Sequence, residues 1–425
     1  MKKYLSIIAL ATLAIVGCSK VNLDQSAQDE ETPISFQALS YVSQTKADHV
    51  HLALPQDAQF DILAYFHDEA LSASTAKFFY FNDVVKNTVT GKDAATQPST
   101  WKWETTNNTY YWPKTGMLSF YAVYPAGKAT FDESNPDAGF TFDEYEVTVP
   151  YDEQADATVS EDLMLAQTLD QDCNNDADKH YTDGVALLFH HELAKVKFSA
   201  KLYDQKNYDS TAKVVKVGDV YFSAVIDEIS ISNIYGKGTL ALNASKEYAW
   251  TPSGAKASSG KIVDMAYAPA KDATGFTIGT DVTGVGLTGA GWTKFEEEYY
   301  VLPQELPVTT ATPNTDATIT VKFTVYALKK TSEEGAATET FKVISKTAYD
   351  GAANSHPAFT KKLGEFKTTT TEAGDTALNE WKINTVYNYQ FIIDPFEGQI
   401  YFDPCMEDWS KVDADPEIIY KDVDR

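Results

Sequence analysis

From Pro33 onward, apolar and polar residues alternate with a period of two, and a helical period almost never replaces it. Ala194, Val196, Phe198, Ala200 and Leu202 alternate with Lys195, Lys197, Ser199 and Lys201. Ile319, Val321, Phe323, Val325 and Ala327 alternate with Thr320, Lys322 and Thr324. Phe60, Ile62, Ala64 and Phe66 share one face, as do Leu118, Phe120, Ala122 and Tyr124, and Tyr387, Tyr389, Phe391 and Ile393. Successive strand side chains point to opposite faces, so each run predicts a strand with one buried and one wet face. Aromatic and β-branched residues fill these runs, as half-buried pleated surfaces prefer. Repeated with turn residues between, the pattern predicts an all-β chain built from β-sandwiches.

The 425 residues exceed what one hydrophobic core organises, which predicts two domains. The Asp- and Asn-rich stretch Asp170–Gly184 lacks apolar periodicity and separates two strand-rich halves, each with about seven candidate strands. The expected organisation is a first sandwich over 33–175 and a second over 176–425, ending in a tail at 410–425. Asn87–Thr100, Thr251–Lys261 and Thr331–Thr340, rich in Gly, Ser, Thr and Ala, are expected as loops.

The N-terminus obeys other rules. Lys2 and Lys3 precede the nearly uncharged apolar run Tyr4–Val16, and Ile15-Val16-Gly17-Cys18 places a small residue before a cysteine. Too short to span a bilayer, residues 1–17 read as a lipoprotein signal peptide, with cleavage before Cys18 and acylation of that residue. Each buried acyl CH₂ contributes about 0.8 kcal/mol, so several chains form a durable anchor. Residues 18–32, polar and acidic, read as a tether. No second apolar stretch is long enough for a transmembrane helix.

Composition narrows the partners. Sixty-one acidic residues against 35 basic ones give a net charge of −26, which argues against nucleic acid and fits a self-repelling surface protein. Besides Cys18 there are only Cys173 and Cys405, whose spacing says nothing about pairing.

Chemical motifs are weak. Asp170, Asp172, Asn174, Asp176 and Asp178 offer oxygens at alternate positions, as a calcium loop does. The central glycine is missing and Tyr181 stands where the bidentate glutamate belongs, so a solvated linker is expected. His190 and His191 are adjacent on a strand and point to opposite faces, which suits edge or packing roles rather than chelation. Trp101, Trp103, Tyr110, Tyr111 and Trp112 form an aromatic cluster; shared faces and the usual burial of aromatics favour core over a sugar platform. There is no G-x-S-x-G elbow, P-loop or dinucleotide fingerprint, and no cofactor or catalytic residue is implied. Asp375-Thr376-Ala377 matches a short O-glycosylation pattern, with Thr376 as acceptor, and Asp209-Ser210-Thr211 matches it less well.

Several segments, in order, resemble the fimbrillin family of Bacteroidales, lipoprotein precursors of type V pili. They are Tyr110-Tyr111-Trp112-Pro113 with Leu118–Pro125, Asp162–Ala166 with Leu188–Val196, Tyr300-Val301-Leu302-Pro303, and Tyr387-Asn388-Tyr389 through Asp408-Trp409. The resemblance implies a non-enzymatic chain of two tandem transthyretin-like sandwiches at the outer membrane and cell surface. It implies removal of a first strand by a protease specific for Arg or Lys, then polymerisation with other fimbrial subunits by donor-strand exchange. The matching strand is Ile34–Lys46, with Ile34, Phe36 and Ala38 on one face, and the matching cleavage step is Lys46–Ala47. After Ala38 the apolar positions slip to Leu39 and Tyr41, so a bulge is expected to break the register there.

The tail contains Ile418, Ile419 and Tyr420, a tentative donor strand with poor alternation and crowding acids. The tail leaves the role open, and the cleavage step at Lys46 favours a shaft or tip subunit, with a permanently lipidated anchor as the alternative. The rival from another class is a surface lipoprotein that binds glycans. It requires an exposed Trp101–Trp112 cluster and a first strand that is never removed. A ligand on host or bacterial surfaces fits either account.

Overall fold

The structure of the chain is a computed structural model. It describes residues 32–45, 48–72, 75–88, 102–135, 139–141, 145–146, 162–172, 184–203, 208–209, 214–242, 248–254, 256, 281–282, 293–294, 299–309, 316–333, 336, 339–368, 376–396, 398–408 and 420–421. Among these residues the chain is all-β, with a single 3₁₀ turn at Leu363–Glu365.

The first unit contains β1 (Phe36–Thr45), β2 (Asp48–Ala53), β3 (Gln59–His67), β4 (Phe78–Asn87), β5 (Trp103–Thr105), β6 (Met117–Tyr124), β7 (Met164–Gln171) and β8 (Val185–His191). Their order is β8-β7-β6-β3-β4-β5-β1-β2, and β1 also pairs with β8. Seven strands therefore close into a ring, with β1 as the closing member. Closure removes the free edges that an open sheet would present. The buried side of the ring holds Phe36, Phe60, Phe81, Trp103, Phe120 and Phe189.

Val185–His191, beyond the boundary expected after residue 175, pairs with β7 and with β1. Between β8 and β9 (Ala194–Leu202) the chain turns a corner at Glu192-Leu193. Both residues are buried, and backbone hydrogen bonds hold the corner. The Glu192 N–H donates to the Leu163 carbonyl at 2.8 Å, and the Leu193 carbonyl accepts from the Asn384 N–H at 3.1 Å. Leu163, Leu165, Leu193, Leu240 and Leu302 form a small core around it. A corner sealed in apolar side chains carries no polar, loop-like sequence signature.

The second unit adds β10 (Val220–Ser232), β11 (Lys237–Leu242), β12 (Tyr248–Ser253), β13 (Thr318–Lys330), β14 (Phe341–Tyr349), β15 (Thr385–Asp394) and β16 (Gln399–Asp408). One sheet pairs β9 with β15 in parallel over nine residues and β15 with β16 antiparallel. The other runs β10-β13-β14. Phe198, Phe391, Ile226, Phe323 and Trp381 pack between them. The second face of β9 was expected to be wet, yet Lys195 is only 1% exposed, with its ammonium 5.3 Å from the Tyr300 ring centre. Residues 194–200 are all buried, so both faces of β9 are covered, and a lysine stem tolerates this when its charge meets an aromatic face. Finally β17 (Tyr420–Lys421) returns to the first unit and pairs with β2.

Candidate functional site

The region that the resemblance marks is the seat of β1. Ile34, Phe36 and Ala38 are all buried, while Ser35, Gln37 and Leu39 between them are half-buried. Phe36 sits edge-on to Phe120 with ring centres 5.5 Å apart, and Phe60 continues the aromatic layer to Trp103 and Phe189. The backbone is held on two sides. On one side, Phe36 to Ser40 pair in parallel with Val185 to Phe189, and the Val185 N–H donates to the Ser35 carbonyl at 2.8 Å. On the other side, Phe36 pairs with Trp103, the Ile34 N–H donates to the Tyr110 carbonyl at 2.8 Å, and the Trp112 N–H donates to the Thr32 carbonyl at 3.1 Å.

The pairing with β8 runs unbroken through Ser40. The irregularity expected after Ala38 lies between Val42 and Thr45, where β1 meets β2. Gly184 lets the two backbones come together. It has φ +88°, and a Cβ there would stand 3.0 Å from the N and C of Phe36. Without this strand, the ring opens along β5 and β8 beside a groove lined by Phe60, Phe120 and Phe189. Unpaired N–H and C=O groups beside an apolar groove are what strand addition satisfies.

Much of the aromatic cluster is core. Trp103 is buried, Tyr110 stacks on Phe81 at 4.0 Å, and Trp112 meets Phe120 edge-on at 5.9 Å. Tyr111 is half-buried and its carbonyl accepts from the Tyr80 hydroxyl. Of the histidine pair, His190 is exposed, while His191 is buried against Asp162. Beside them Glu192 has its carboxyl pushed up to about 8, first by burial and then by the charge of Asp162.

Sequence reasoning missed one grouping entirely. His67 Nε2 lies 2.8 Å from Ser119 Oγ, and Asp170 Oδ1 lies 3.6 Å from the same nitrogen. A hydrolytic triad needs its carboxylate on the opposite nitrogen. Here Nδ1 is 2.7 Å from the Glu69 carbonyl, so it carries the proton and donates, leaving Nε2 to accept from Ser119. Ser119 Oγ in turn accepts the Asp170 N–H at 3.0 Å, and neither His67 nor Ser119 is exposed. The group clamps β3, β6 and β7 together. Its members are 51 and 52 residues apart, and a histidine closing the strand-like run Phe60–Phe66 is the only sequence signal.

Cys18, Lys46, Ala47, Trp101, Cys173, Ile418 and Ile419 lie outside the described residues, as do the signal peptide and most of the acidic loop at 170–184. Cys405 lies on β16 opposite Asn388, and Thr376 pairs with Thr368.

No curated protein matches the chain. The crystal structure of a fimbrial protein from Bacteroides vulgatus ATCC 8482 superposes with a TM-score of 0.50 at 16% identity, covering 89% of this chain and 99% of that one. A fimbrilin from Porphyromonas gingivalis W83 superposes with a TM-score of 0.30 at 10% identity, covering 89% of this chain and 98% of that one. At such identity the first likeness is one of fold. The fimbrillin-like family pattern matches residues 45–409, through both β units, and the chain belongs to the fimbrillin-like family of structural, non-enzymatic proteins.

Proposed function

We propose that this fimbrial subunit is exported as a lipoprotein precursor acylated at Cys18, cut between Lys46 and Ala47 at the outer membrane, and polymerised by donor-strand exchange. The observation that carries the reading is the seat of β1, where one short segment both closes the ring and fills its core. Burial of an Ile or Phe side chain contributes roughly 1.5–3 kcal/mol, so Ile34 and Phe36 make the vacated groove a strong acceptor. The family match begins at Thr45, one residue before Lys46, so the strand to be removed lies ahead of the shared pattern. A subunit holding a donor strand through such anchors resists shear by slow release rather than by equilibrium stability alone.

The donor is a strand of another subunit, and the tail around Ile418, Ile419 and Tyr420 is the segment of this chain proposed for that role. Its pairing with β2 supports a tail able to join the first unit's sheet. A shaft or tip role follows from cleavage, and a permanently lipidated anchor is the alternative. The burial of Trp103 speaks against the rival account built on an exposed Trp101–Trp112 sugar platform.

The test is the mature N-terminus of surface protein, read by mass spectrometry in cells carrying the native chain or Lys46→Ala. An unacylated N-terminus at Ala47, lost together with filaments in the variant, is the expected result. Acylated Cys18 as the sole form in native cells would refute cleavage and leave the lipidated anchor or the glycan-binding lipoprotein.

A further inference from the structure

A cleft of about 740 Å³ opens in the second unit, far in sequence from the β1 seat and lined by residues that neither strand exchange nor anchoring uses. Its described walls are β12 with Tyr235 and Lys256, and the segments 303–307 and 380–383. Partly exposed Tyr235 and Trp250 present aromatic rings, and Pro252, Pro303 and Pro307 stiffen the walls. Among the lining side chains Lys256 and Lys382 balance Glu305 and Glu380, and Glu380 and Lys382 pair at 3.1 Å.

The shape is set before any ligand arrives. Gln304 accepts the Tyr235 N–H at 2.8 Å and donates to the carbonyls of Tyr235 and Leu302 at 3.1 Å each. Trp250 is fixed by its indole N–H, which donates to the Glu192 carbonyl at 2.6 Å. Lys256 lies 5.2 Å from the Tyr235 ring centre, which holds that ring in place.

From these features we infer that the cleft binds a neutral oligosaccharide. Balanced charge on a chain of net charge −26 gives no attraction for phosphate, sulfate or sialic acid. Fixed, partly exposed aromatic walls suit the apolar C–H faces of pyranose sugars. Carboxylates and ammonium groups at the rim supply acceptors and donors for their hydroxyls. A volume of this size is that of a ligand site, and its open, partly polar walls suit a sugar chain passing through better than an enclosed apolar molecule. The inference concerns a face distinct from the β1 seat and stands whether or not subunits exchange strands.

The test is titration of the unacylated chain from residue 19 to 425 with tetrasaccharides of glucose, of mannose and of N-acetyllactosamine units, followed by saturation-transfer NMR. A sialylated N-acetyllactosamine oligosaccharide serves as the charged comparison. Binding of at least one neutral probe is expected, weakened about tenfold or more by Tyr235→Ala, as loss of an aromatic anchor does. Tyr235→Phe, which keeps the ring, should retain it. Glu380→Gln, a surface change that spares the fold, should also weaken binding. No binding by any neutral probe, a preference for the sialylated one, or binding unchanged in both Tyr235→Ala and Glu380→Gln would overturn the inference.

Discussion

Phe36 on the first strand meets Phe120 on the central strand β6 edge-on, with ring centres 5.5 Å apart. The contact joins the segment proposed for removal to the middle of the sheet that keeps the fold. Phe36→Ala is expected to destabilise the uncut chain by about 3–5 kcal/mol, the usual loss for a fully buried Phe. Leu39→Ala, one face over and half-buried, should cost much less. Urea denaturation of both variants decides the matter. Equal losses would mean that β1 does not close the ring through its inward face.

Gly184 and Phe36 are bound by space rather than by attraction. At φ +88° a side chain is strained, and its Cβ would press on the Phe36 backbone at 3.0 Å. Gly184→Ala should therefore loosen β1 as well as cost about 1–3 kcal/mol in backbone strain. Hydrogen exchange offers a local readout, because the Val185 amide donates to the Ser35 carbonyl. That amide should exchange faster in the variant, while amides of β13, in the other unit, keep their protection. An unchanged Val185 amide would disprove the close approach.

What the sequence disclosed and what it hid divide along the range of the interactions. Period-two alternation is local, so strands such as Ala194–Leu202 and Thr318–Lys330 are legible, and the inward set Ile34, Phe36 and Ala38 with them. The shared face of the aromatic cluster likewise pointed to a core, and Trp103 lies in it. Alternation reports which face is apolar but not whether the polar face is covered. Lys195 therefore reads as wet and is buried. Register between distant strands is not local either. That Phe36 pairs with Val185 depends on a parallel contact across the whole first unit, which no short pattern announces. The same holds for the His67–Ser119–Asp170 clamp. The buried corner at Glu192-Leu193 was hidden for a different reason, since it is held by apolar contacts between distant segments.

That corner gives the chain a pH dependence whose sign is fixed. Glu192 is buried, and its carboxyl is pushed from the usual 4.5 up to about 8, by burial first and by Asp162 second. The folded state therefore favours the neutral acid. Below about pH 4.5 the group is protonated folded or unfolded, and its contribution is at its most favourable. Between that point and about 8 the unfolded chain ionises while the folded chain holds its proton, so stability falls as pH rises. Above that range the loss is complete and the slope vanishes. Each unit of difference is worth about 1.4 kcal/mol, so the loss reaches the scale of a few kcal/mol. Glu192→Gln, close in shape and never charged, should remove this component and flatten the fall in Tm between pH 5 and pH 8. Because the Trp250 indole bonds the Glu192 carbonyl rather than its carboxyl, that brace persists in the variant. Parallel pH profiles for the native and Gln chains would refute a buried, late-ionising Glu192 at the corner.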